Sequence, residues 1–170
     1  SLHSKRIKWV NSFQMGAIID SNNGLTGRMS TSYQSGLNYS NWTLSAGVGI
    51  DDYEQFIIIP ALIELKFAFL IKNNMPYVYA LGAYNFVKQK SDEEIYKYND
   101  GLGFGGGVGY EWSLGFANVF IKSGIQHTEI KSERQQIYYD VWYSNQFYPQ
   151  TPQEITRNMI RAKFLIGINF

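Results

Sequence analysis

Seven ionisable residues sit where alternating strands would point them the same way: Arg28, Glu64, Lys66, Glu111, Lys122, Arg161 and Lys163. Charges in a narrow, dry interior are costly unless they pair. A mutual network of ion pairs and hydrogen bonds would satisfy them, helped by Ser30, Ser32, Gln34 and Gln126. Such a network can simply fill an interior. It can also line a thin polar passage or a small-solute site.

Other candidates are weaker. His127-Thr128-Glu129 puts an imidazole near a carboxylate, but no nucleophile is spaced to be activated by it. His3 is the only other histidine. Asp51-Asp52 with Glu54, and Asp92-Glu93-Glu94 with Asp100, are acidic clusters of the sort that bind a hard cation such as Ca²⁺. Acidic loop tips are usually just solvated, so no metal and no cofactor is expected. Gly103-x-Gly105-x-x-Val108 is a partial nucleotide fingerprint without a following helix, and carries nothing.

The elements that must hold these residues are strands. Read for period two, the chain divides into eight segments, roughly 7–19, 27–39, 42–53, 57–71, 75–88, 101–113, 116–131 and 157–170. In the last, Ile160, Ala162, Phe164, Ile166, Ile168 and Phe170 share one face, opposite Arg161, Lys163, Gly167 and Asn169. In the sixth, Leu102, Phe104, Val108, Tyr110 and Trp112 oppose Gly101, Gly103, Gly105, Gly107 and Gly109. Trp42, Leu44, Ala46, Val48 and Ile50 oppose Thr43, Ser45, Gly47, Gly49 and Asp51 in the third. The first, second, fifth and seventh alternate less cleanly.

Five alternate glycines make a poor solvated surface. They suit a narrow lumen, where strands converge and only small side chains fit. The large aliphatic and aromatic residues then face lipid. The expected fold is all-β: an eight-stranded antiparallel up-and-down transmembrane β-barrel. It would form a single domain over 1–170, with 1–6 flexible and 132–156 a long outer loop. Connections support this. Ser40-Asn41, Lys72-Asn73-Asn74 and Ser113-Leu114-Gly115 are tight, whereas 20–26, 51–56, 89–100 and 132–156 are longer or more polar. Short and long connections alternate, as in barrels with short periplasmic turns and longer outer loops. Tyr39, Trp42, Tyr110, Trp112, Phe116 and Phe170, joined by Trp9, Tyr77 and Phe69, are placed to form an aromatic girdle at the short-turn end.

Composition agrees. The 170 residues hold 13 Tyr, 11 Phe, 4 Trp and 16 Gly, a β-rich profile. Lys and Arg number 15 against 14 acidic residues, so no charge footprint for nucleic acid exists. There is no cysteine, which excludes disulfides, thiolate metal sites and a cysteine nucleophile. No stretch approaches the ~18 apolar residues of a membrane-spanning helix. No secretory signal stands at Ser1, so export would require that one has been removed.

The terminal run Phe164-Leu-Ile-Gly-Ile-Asn-Phe170 resembles the closing strand of bacterial outer-membrane proteins. Phe164, Ile166, Ile168 and Phe170 in phase look like their assembly signal, which implies the barrel-assembly machinery as a partner during insertion. Ile57 to Phe69 and Met75 to Tyr84 are similar to a pattern of small porin-like outer-membrane barrels of Bacteroides-type bacteria, akin to OmpX and the OmpA barrel. The resemblance implies a bacterial outer-membrane location more than an activity. Outer-membrane lipid A deacylases carry a His-x-Ser pair, but Glu129 stands where that serine would be.

Loop 132–156 carries Tyr138, Tyr139, Trp142, Tyr143, Phe147 and Tyr148. Disorder normally comes with few aromatics, and such residues make good recognition surfaces. The first expectation is therefore a non-enzymatic structural, adhesive or complex-accessory barrel. Its partners would be outer-membrane lipid, lipopolysaccharide and an envelope protein. A narrow channel is the alternative, and a lipid-modifying enzyme the second.

Overall fold

Residues 7–20, 28–53, 56–69, 74–90, 96–134 and 154–170 are described by the computed structural model. They form nine strands: β1 (Lys8–Asp20), β2 (Arg28–Tyr39), β3 (Trp42–Asp52), β4 (Phe56–Ala68), β5 (Asn74–Gln89), β6 (Tyr96–Asn99), β7 (Gly101–Ser113), β8 (Asn118–Arg134) and β9 (Glu154–Asn169). All pairings are antiparallel, and β1 pairs with β9, so the sheet closes on itself. Closure removes the free edges that an open sheet would expose.

β6 and β7 act as one stave. Asn99 pairs with Lys131, whereas Gly103 pairs with Thr128, so the register slips by one residue between them. Asp100 sits at this bulge and its carboxylate accepts a 2.9 Å bond from the Val87 amide. The barrel therefore has eight staves, as the alternation predicts. No described helix is long and apolar enough to cross a membrane.

Strand boundaries differ from the sequence expectation where pairing outlasts alternation. β8 runs on to Arg134 and β9 starts at Glu154, because their ladder extends as far as Glu133 and its partner Glu154. β6 occupies part of the expected 89–100 connection. The 51–56 connection is tight rather than long: the Tyr53 amide donates to the Phe56 carbonyl at 3.0 Å. Strict length alternation thus fails at one outer connection, since the two strands need little chain to turn there.

At the opposite rim the turns are short. Ser40 adopts φ 58° between β2 and β3. Gly115 adopts φ 91° between β7 and β8, a conformation that glycine tolerates without a Cβ penalty. Residues 1–6, 70–73 and most of 132–156 lie outside the described set, and with them the expected flexible N-terminus and part of the Lys72-Asn73-Asn74 turn.

Alternation sorts the side chains onto two faces. Outward stand Met29, Leu44, Val48, Ile63, Leu102, Phe104, Val108 and Ile125, all exposed. Inward stand Gln14, Ser30, Ser32, Gln34, Thr43, Asp51, Glu64 and Lys122, all buried. This is the reverse of a water-soluble barrel, which hides its apolar face.

Candidate functional site: the lumen

The lumen is braced by three tiers, each combining carboxylate, cation and tyrosine. Nearest the short turns, Lys66 Nζ lies 2.8 Å from Glu111 Oε2, with the ammonium 5.0 Å from the centre of the Tyr77 ring. Asn118 donates to the other Glu111 oxygen at 2.7 Å. In the middle, Lys122 Nζ lies 2.6 Å from Glu64 Oε2 and 4.7 Å from the Tyr79 ring centre. Above it, Asp51 Oδ2 accepts from Lys163 Nζ at 2.8 Å and Arg161 at 3.3 Å. Arg161 also donates to the Tyr53 hydroxyl at 2.6 Å and to Thr128 Oγ1.

Each tier works through the same physics. A charge taken out of water must recover its solvation from a counter-charge and from dipoles. The carboxylate supplies the first. The electron-rich ring face adds a cation–π attraction. Neutral hydrogen bonds complete the packing, Gln14 to Ser32 at 2.7 Å and Ser45 to Gln34 at 2.8 Å, and Ser30 donates to the other Asp51 oxygen at 2.6 Å.

The long-connection end is closed differently. Ile18, Tyr53, Phe56, Ile58, Ile130 and Met159 form an apolar cluster there, with Val87 packed against it. Ile58 is 0 % exposed. Between the tiers the remaining space is small: one void of about 20 Å³ and one of about 30 Å³. A water needs roughly 10–15 Å³ on this measure, so each void has room for no more than about two or three waters. A concavity of about 500 Å³ opens outward among Val108, Tyr110, Ile121, Ser123, Phe164 and Ile166.

The space beside Gly109 and Gly124 is taken. A Cβ at Gly109 would collide with the Tyr77 ring, and one at Gly124 with the Tyr79 hydroxyl. Gly109 and Gly124 make room for aromatic rings, and Gly103 faces the side-chain amides of Asn85 and Gln126. Tyr77 is correspondingly misassigned by sequence: it is 3 % exposed inside the lumen and no part of an outer girdle. The other girdle candidates do face outward, with Trp42 and Phe67 at 4.7 Å and Tyr110 and Trp112 at 4.7 Å between ring centres.

Of the seven sequence-selected lumen residues, six are in the tiers. Arg28 stands at the rim, its guanidinium 5.4 Å from the Tyr53 ring centre. Asp51 is the residue that sequence reasoning undervalued. It was grouped with an acidic loop tip, yet it is 1 % exposed and holds two cations. Its parity with Thr43, Ser45, Gly47 and Gly49 was the available signal. Tyr53 and Tyr79 were also missed.

His127 lies on the outer face, stacked on Phe104 with ring centres 4.9 Å apart. Its neighbour Thr128 points inward to Arg161, away from the imidazole. Phe164, Ile166 and Phe170 face outward, and Ile168 is half-buried. The aromatic loop residues Tyr138, Tyr139, Trp142, Tyr143, Phe147 and Tyr148 lie outside the described residues.

An eight-stave closed barrel with an apolar exterior and a polar, cross-braced interior has the fold of the small outer-membrane barrels. Solved structures agree. The chain is similar to Neisserial surface protein A (TM-score 0.65, 12 % identity, covering 97 % of this chain and 98 % of that one). It is also similar to the N-terminal β-barrel domain of Pseudomonas aeruginosa OprF (TM-score 0.54, 11 % identity, 97 % and 100 % covered). A third match is the outer membrane protein OprG from Pseudomonas aeruginosa (TM-score 0.51, 8 % identity, 98 % and 97 % covered). No protein-family profile matches the chain, and no curated protein matches it in sequence. At these identities the likeness is one of fold.

Proposed function

We propose that this chain is an integral protein of a bacterial outer membrane, with a structural, adhesive or complex-accessory role carried by its outer connections. One observation carries the reading: the lumen is filled. Among the described residues, three cross-braced tiers and an apolar cluster occupy the lumen, beside voids of about 20 and 30 Å³. A barrel that moves nothing through its centre acts through its rim and its outer surface. The aromatic stretch 135–153, between β8 and β9, is the longest connection in the sequence, and it makes the recognition surface for an envelope partner. Lipopolysaccharide and lipid would surround the apolar belt, and no chemistry is assigned to His127.

Planar-bilayer recording tests the first half: the purified protein inserts without unitary conductance steps. Regular steps that change on neutralising Lys163 or Glu64 would overturn the filled-lumen reading. Deleting 135–152 tests the second half. The barrel should still shift mobility on heating, while surface adhesion or co-purification of an envelope partner is lost. Unchanged binding by the deleted form would remove the loop from the assignment.

A further inference from the structure

On the outer wall, neighbouring strands carry two aligned rows of side chains with a furrow between them. Val108, Ser123 and Phe164 pair across β7, β8 and β9 to make one row. Tyr110, Ile121, Ile166 and Met15 pair across β7, β8, β9 and β1 to make the other. The furrow is the outward concavity of about 500 Å³. Its floor is the backbone of the inward-facing residues between the rows, Gly109, Lys122, Leu165 and Gly16. Ser123 is the smallest side chain of either row and opens the gap between Val108 and Phe164. Three steps between strands, of about 4.8 Å each, make the furrow roughly 14 Å long.

The lining presents no charged group, because Lys122 turns its ammonium inward to Glu64 at 2.6 Å. Apart from the hydroxyl-bearing Ser123 and Tyr110, the walls are aliphatic, aromatic or thioether. Val108, Ile121, Phe164 and Ile166 are exposed, and no part of the described chain covers them. The furrow also has a direction. Tyr110 lies close to the short-turn end of β7, and its ring centre is 4.7 Å from that of Trp112 in the aromatic girdle. Met15 lies beyond the middle of β1, which starts at the same rim. One end therefore opens where lipid headgroups meet aromatic side chains, and the other runs into the hydrocarbon. Inside a bilayer apolar groups gain nothing from leaving water, so retention depends on van der Waals fit. A furrow touches a chain below and on both sides, where a convex wall touches it on one side only.

We propose that this furrow holds one acyl chain of a phospholipid from the leaflet on the short-turn side, with the headgroup beside Tyr110 and Trp112. The assignment rests on the outer-membrane reading above and gives that reading a specific lipid contact. An uncharged hydrocarbon chain matches the lining, and the girdle fixes where its polar end sits. A second copy of this chain would bring a convex barrel wall of its own, which reaches the rims of the furrow but not its floor.

The test releases the whole chain from detergent micelles in a mass spectrometer after incubation with palmitoyl-oleoyl phosphatidylethanolamine. We expect a single lipid to stay on the folded barrel after detergent and loosely held lipid have been stripped. Ser123→Phe fills the furrow, and Val108→Phe narrows it from the side. Each should lose the retained lipid while keeping the heat-induced gel-mobility shift. Ile63→Phe, at an exposed outward position of β4 away from the furrow, should keep the lipid. No retained lipid on the unchanged chain, or equal retention in Ser123→Phe and Val108→Phe, would overturn the proposal. A protein dimer that dissociates in Ser123→Phe, with no lipid retained, would give the furrow to a second copy and overturn it as well. Insertion into phosphatidylethanolamine–phosphatidylglycerol vesicles is followed alongside. A chain that inserts but retains no lipid refutes the furrow alone, whereas one that does not insert refutes the membrane reading beneath it.

Discussion

Lys122 and Glu64 stand 58 residues apart in sequence, yet they meet at 2.6 Å across the lumen. The link runs between β8 and β4, which are not neighbours in the sheet. It holds opposite walls at a fixed spacing and fills the middle of the barrel. Both side chains are less than a tenth exposed.

Removing one member of a buried pair strands the other. Lys122→Met should therefore destabilise the folded barrel by about 3–5 kcal/mol, because Glu64 is left buried without its partner. Combining it with Glu64→Leu should return stability to near the starting value, since an apolar pair of similar volume needs no counter-charge. Urea unfolding in lipid vesicles measures both. A double-variant cost equal to the sum of the Lys122→Met and Glu64→Leu costs would mean that the pair is not coupled.

Gly109 faces the Tyr77 ring, and Gly124 faces the Tyr79 hydroxyl. Gly109→Ala should cost roughly 1–3 kcal/mol through overpacking. Tyr77→Leu in the same chain should relieve most of that cost, and the double-mutant cycle reports the coupling directly. Gly82, where an added Cβ meets nothing, is the control. Gly82→Ala should be close to neutral.

The apolar cluster at the long-connection end predicts a cavity effect. Ile58→Ala should cost about 2–5 kcal/mol. It should not create conductance, because the three polar tiers beneath it still fill the lumen. Ion flow through this variant would show that the apolar cluster alone is the barrier.

The outer belt predicts a dependence on depth. Ile166 is 51 % exposed on the outward face of β9. Ile166→Arg should destabilise the barrel in a bilayer by about 2–4 kcal/mol if the site lies near the midplane. The same change at Leu114, in a rim turn, should cost about 1 kcal/mol or less. Similar costs at both sites would argue against a hydrocarbon belt at this height.

How far the sequence predicts this molecule depends on which face of a strand carries information. β3, β4, β7 and β9 alternate cleanly, so their lumen residues Glu64, Lys66, Glu111, Arg161 and Lys163 were legible. β5 is apolar or aromatic on both faces near its start. Tyr77 and Tyr79 therefore read as belt residues or not at all, although they fill the lumen. Asp51 was obscured by the adjoining Asp52, which suggested a solvated tip. The pairings themselves, such as Lys66 with Glu111, depend on strands 45 residues apart and on the closure of the ring. Alternation assigns a residue to a face but says nothing of its partner across the lumen.

The closing seam carries a kinetic consequence. Asn11 and Phe170 exchange backbone bonds of 2.9 Å in both directions, so the ring is fastened by residues from opposite ends of the chain. Contacts of such long sequence separation make folding slow, because the loop entropy must be met before the bonds form. Until β9 docks, β1 and β8 each present a bare edge able to recruit any extended strand. The interval before β9 docks is thus a period of exposure to mispairing. An escort that masks strand edges during that interval would protect the barrel more than one that shields its apolar belt.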